Sequence, residues 1–71
     1  MGQEDNDQLW RPKQVSEITT IPEGTLSQYR HRGIGPRSFR LGGRVVYRRS
    51  DVLQWMADQE RATASGGVSV A

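Results

Sequence analysis

The chain has no cysteine and a single histidine, His31, in 71 residues, and that combination constrains its fold more than any other feature. A domain this small has a marginal core, usually reinforced by disulfides or by a zinc ion held on cysteines and histidines. Neither can be assembled here, so the chain must fold on side-chain packing alone. Its length allows one domain and leaves no room for a deep catalytic cleft. The longest apolar runs, Val45-Val46-Tyr47 and Trp55-Met56-Ala57, are three residues long, against the roughly 20 needed to cross a bilayer. No signal-peptide core is present. The sequence reads as a soluble, cytoplasmic protein.

The net charge of +2 is unevenly distributed. Residues 1–8 carry Glu4, Asp5 and Asp7 and no base, whereas the stretch from Arg30 to Arg49 carries seven arginines and no acid. A block of +7 reads as a cationic face for a polyanion, a solvated surface, or a disordered basic arm. Phe39, Leu41, Val45, Val46 and Tyr47, interleaved with the arginines, argue for a folded element. Residues 1–8 are polar and aperiodic, and 63–71 are rich in small residues; these read as a disordered acidic leader and a disordered tail around a folded unit at 9–62.

Within that unit the periodicity predicts a helix over Pro12–Thr19, with proline at its start and Val15 and Ile18 on one stripe. A short joint at Thr20-Ile21 leads to a second helix over Pro22–Arg32, with Glu23 complementing the dipole and Gly33 as the cap. Leu26 and Tyr29 form its apolar stripe, while Gly24, Ser27, Gln28 and His31 share the other face. After Gly35-Pro36 the period falls to two, which predicts a hairpin around Gly42-Gly43. A three-residue loop, Gly42-Gly43-Arg44, would gather Phe39, Leu41, Val45 and Tyr47 on one face and leave Arg40, Val46 and Arg48 on the other; a two-residue turn would split the apolar set. The sequence favours the longer loop. Ser50 reads as the N-cap of a third helix over Asp51–Ala62, and Trp10, Tyr29, Phe39, Tyr47 and Trp55 as one shared core. The expected fold is mainly α with a small β-hairpin, a winged helix-turn-helix.

Catalysis finds little support, because one histidine, no cysteine and scattered carboxylates make no nucleophile–base cluster. Phosphate-loop and dinucleotide fingerprints are missing, no second ligand joins His31 on a metal, and no cofactor is expected. Two tightly joined helices instead suit the major groove of duplex DNA. Gln28 can pair bidentately with adenine, His31 can donate or accept, and Thr25 and Ser27 can reach bases or phosphates. Gly24 is open to two readings, close approach to a DNA backbone or close helix packing. Arg30 and Arg32 end the recognition helix, where the dipole also favours a cation, and as part of the block both are candidates for phosphate contact. Arg44 at the hairpin tip is best explained by a wing laid along a groove, and Arg37, Arg40 and Arg48 are further wing candidates.

The ordered run of motifs, Val15-Ser16-Glu17-Ile18, Ile21-Pro22-Glu23-Gly24-Thr25-Leu26, His31-Arg32-Gly33, Phe39-Arg40-Leu41-Gly42-Gly43-Arg44 and Tyr47-Arg48-Arg49-Ser50-Asp51-Val52 with Trp55, resembles the excisionase family of small MerR-like winged-helix proteins. The resemblance covers about residues 9–59. It implies base contacts from Gly24, Gln28 and His31, and a wing around Arg40 and Arg44 against the backbone or minor groove. Gly24 has no side chain, and His31 stands where a longer basic residue is common, which shifts the expected readout toward Glu23, Ser27 and Gln28. The resemblance further implies a recombination directionality factor that binds attachment-site DNA, bends it, loads beside neighbouring copies and steers an integrase toward excision. Other members regulate transcription of prophage genes. A nucleoid-associated protein, monomeric in free solution, is the corresponding expectation; an arginine surface for an acidic protein partner is the reading from another class.

Overall fold

The computed structural model describes residues 7–66. The disorder expected of residues 1–6 and 67–71 lies outside them. Strand β1 (Leu9–Trp10) leads into α1 (Pro12–Thr19) and α2 (Glu23–Arg32), then the hairpin β2 (Phe39–Leu41) and β3 (Arg44–Arg48), and finally α3 (Arg49–Thr63). This is a winged helix-turn-helix, with one strand more than the sequence analysis expects.

Helix α1 begins at Pro12, and the Gln14 side chain accepts a hydrogen bond from the Arg11 N–H at 3.0 Å, satisfying a donor just ahead of the helix. It ends at Thr20, whose φ of 65° is left-handed and unusual for a β-branched residue. The Thr19 hydroxyl fastens this joint by donating to the Val15 carbonyl at 2.7 Å and accepting from the Ile21 N–H at 3.3 Å. Helix α2 closes in a Schellman motif: the Gly33 N–H reaches the Arg30 carbonyl at 3.2 Å and the Ile34 N–H the Tyr29 carbonyl at 2.9 Å. The joint and this cap set where α2 starts and stops.

The sheet has the order β1-β3-β2, antiparallel throughout. Its register corrects the expected loop. Leu41 pairs with Arg44, Arg40 with Val45 and Phe39 with Val46, so the turn has two residues, Gly42 and Gly43, at φ values of 60° and 83°. Both values are positive, as the type I′ hairpin turn requires, and this turn matches the twist of the flanking strands. Arg40 therefore shares a face with Val45 and Tyr47, while Phe39, Leu41, Arg44, Val46 and Arg48 share the other. The expectation failed because it assumed only one face of the sheet is covered. Tyr47 and Val46, on opposite faces, are both buried.

Trp10, Val15, Leu26, Tyr47 and Val52 form the buried core, with Ile21, Tyr29, Val45 and Met56 packed around it. Of the five aromatics expected to share it, Trp10 and Tyr47 are central. Tyr29 and Trp55 pack together at its margin with ring centroids 6.4 Å apart, and Phe39 stays half-buried on the far face under the Arg48 guanidinium, 5.5 Å from its ring centre.

The start of α3 also departs from expectation. Ser50 lies inside the helix rather than capping it. The Asp7 carboxylate accepts bonds from both the Ser50 N–H and its hydroxyl at 2.9 Å, and the Gln8 carbonyl accepts from the Arg49 N–H at 2.8 Å. Residues 7 and 8, assigned by sequence to the leader, thus satisfy the free N–H groups of a helix more than forty positions away.

Candidate nucleic-acid interface

The surface of α2 is set by Leu26, which is fully buried and pins one side of the helix to the core. At 100° per residue the opposite side carries Gly24, Gln28 and His31, all exposed, and Glu23 and Arg32 are exposed as well. Thr25 and Ser27 sit half-buried on the two flanks. A Cβ added to Gly24 would meet nothing within 4 Å, and its backbone is not left-handed. Close helix packing is therefore not the reason for glycine at this position.

The hairpin carries the rest of the cationic block, and its arginines divide into two groups. At the root, Arg37 bonds Asp51 at 3.2 Å and Arg48 pairs with Asp7 at 3.6 Å. At the tip, Arg44 is exposed and Arg40 touches only the Gly43 carbonyl, at 3.4 Å. Neither tip arginine has an acidic partner among the described residues. Asp7 is held below the usual carboxylate range, chiefly by the backbone N–H of Ser50, with the Ser50 hydroxyl and Arg48 adding to the effect.

Between helix and hairpin lies an open cleft of about 420 Å³, where Ser27, Arg30 and His31 of α2 face Ser38, Phe39, Arg40 and Val45. The structure thus brings Ser27, His31 and Arg40 to one place and sends Arg37 and Arg48 toward the start of α3. Arg32 falls on the flank of α2 away from the cleft. Arg30, read from sequence only as one of the cationic block at the end of α2, lines the cleft as well, and Ser38, which was not a candidate, lies in the loop before β2, which has no periodicity to read.

These elements are two helices tightly joined at Thr20, a second helix with an exposed stripe, and a cationic hairpin beside it. Residues 11–60 match the family model described as helix-turn-helix domain. The chain belongs to the helix-turn-helix domain family. No curated protein and no solved structure matches it. As a helix-turn-helix domain it is a DNA-binding unit, with α2 as the second helix of the motif. Among its described residues no helix is long and apolar enough to cross a membrane, and no group of three or more His, Cys, Asp or Glu side chains is placed to hold a metal ion.

Proposed function

We propose that this helix-turn-helix domain binds duplex DNA with sequence preference and works as a recombination directionality factor, acting by binding and bending rather than by catalysis. The observation that carries the DNA-binding geometry is that His31, on the exposed stripe of α2, and Arg40, near the hairpin tip and without an acidic partner among the described residues, line a single cleft, with Arg44 exposed beside the turn. With α2 in the major groove, Gln28 can meet an adenine edge, while Glu23 can accept from a cytosine amino group. The tip then lies along the adjacent backbone or minor groove, where Arg44 neutralises phosphate without regard to sequence.

The directionality role rests on the excisionase-like order of motifs. Bending a short site costs several kcal/mol, so a domain this small is suited to sharing that deformation among neighbouring copies on tandem sites. Its macromolecular partners are then an integrase and further copies of itself. A transcription regulator would use the same surface on a promoter.

Two measurements separate the readings. Duplex affinity should fall steeply as salt rises; a flat response rejects phosphate contact and favours an acidic protein partner. In a reconstituted reaction with a cognate integrase and attachment sites, adding the protein should raise excision. Unchanged excision together with promoter repression would assign the surface to regulation.

A further inference from the structure

We infer that the cleft between α2 and the hairpin is a seat for one backbone phosphodiester, with Arg30 as its fixed anchor. The inference rests on the duplex-DNA reading and goes further by placing a particular phosphate against particular side chains.

Arg30 is the cleft arginine whose cationic head is held by a buried side chain. One guanidinium nitrogen donates to the Tyr47 hydroxyl at 2.6 Å, and the guanidinium carbon stands 6.0 Å from the centre of the same ring. Tyr47 is 1% exposed, so the phenol is held by the core and in turn holds the arginine. Only one of the five guanidinium N–H groups is accounted for by this bond. Among the described residues no carboxylate pairs with Arg30, although it is half-buried. A charge taken partly out of water with donors to spare fits an anion that arrives from outside.

The rest of the lining agrees. Ser27, His31, Ser38 and Arg40 all offer N–H or O–H groups, Val45 supplies apolar wall, and no acid lines the cleft. Arg40 is present because the two-residue turn places it on the Tyr47 face of the sheet. The location follows from DNA geometry as well. A helix in the major groove and a hairpin over the neighbouring groove must straddle the strand backbone that separates them, and the cleft is the gap through which that backbone passes. The ordering of Arg30 occurs on folding, so little further entropy is lost when phosphate arrives.

The test is a phosphate walk. A preferred duplex is prepared with a single neutral methylphosphonate at each successive position, and affinity is measured against salt for the unchanged protein, Arg30→Gln and Arg40→Gln. Losing Arg30, the anchor, should flatten the salt slope by up to about 0.9, the signature of one lost phosphate contact, and losing Arg40 should flatten it by less. At one and the same position, the methylphosphonate should weaken the unchanged protein most, and its cost should shrink in both variants, most of all in Arg30→Gln. Arg40→Gln, on an exposed side chain, keeps the test valid if Arg30→Gln disturbs folding. Tyr47→Phe retains the buried ring and should weaken binding while leaving the sensitive position where it was. Steep salt dependence with additive losses at every position overturns the seat and leaves the DNA reading standing. Flat salt dependence in the unchanged protein overturns both.

Discussion

The root and the tip of the hairpin are built from the same residue type and behave differently. At the root, Arg37 and Arg48 meet Asp51 and Asp7, two acids gathered at the start of α3. At the tip, Arg40 and Arg44 have only backbone or water to bond with among the described residues. An arginine already facing a carboxylate offers less attraction to a phosphate, because the new contact must replace an old one. The cationic block is thus divided by the acids that the fold brings to it. Its root fastens the hairpin to α3, and its tip is left without an acidic partner among the described residues.

The sharpest way to break this comparison is to neutralise the two ends separately. Arg40→Ala combined with Arg44→Ala should flatten the salt slope of duplex binding by about 2, weaken all sequences alike and leave folding stability unchanged within about 0.5 kcal/mol. An equal flattening from Arg37→Ala with Arg48→Ala would abolish the distinction. Gly24→Ala extends the comparison to the recognition helix. Nothing in the fold crowds this position, so alanine should stabilise the domain by about 1 kcal/mol while weakening DNA binding. Thermal unfolding and a titration, run side by side, would have to move in opposite senses; a stabilised variant with unchanged affinity would show that DNA does not approach there.

Smaller effects belong to the root. Removing either exposed ion pair should lower stability by about 0.2–1 kcal/mol with little change in salt slope, which chemical denaturation of Arg37→Ala and Arg48→Ala can resolve. The smallest is a pH effect at Asp7. Its lowered pKa means the ionised form favours the folded state. That contribution is complete above the ordinary aspartate value of about 4 and fades as pH falls through the lower folded value. Asp7→Asn should remove this part of the acid sensitivity, seen as a flatter dependence of melting temperature on pH in the acid limb.

Local signals in the sequence carried most of the helical architecture. Pro12, Pro22 and Gly33 mark helix ends by backbone chemistry that needs no tertiary partner, and α1 and α2 begin and end within one residue of expectation. The hairpin strands were legible, but their register was not. Apolar alternation could not reveal that Val46 is covered on the face opposite Tyr47. Strand β1 was missed because two residues make no period. The exposed stripe of Gly24, Gln28 and His31 followed from helical spacing. The pairing of Arg37 and Arg48 with acids did not, since their partners are distant in sequence, and Arg40 could not be assigned to the cleft without the register.

The clamp between Asp7 and the start of α3 also bears on how the domain assembles. The α1–α2 pair and the β2–β3 hairpin join residues close in the chain and can form early, whereas Leu9 with Arg48 and Asp7 with Ser50 close a loop of about forty residues and bear the larger closure entropy. The central strand acquires its second neighbour, and α3 its cap, only when that loop shuts. The seam lies outside α2, and local opening of the native state should begin there rather than at the exposed stripe of α2.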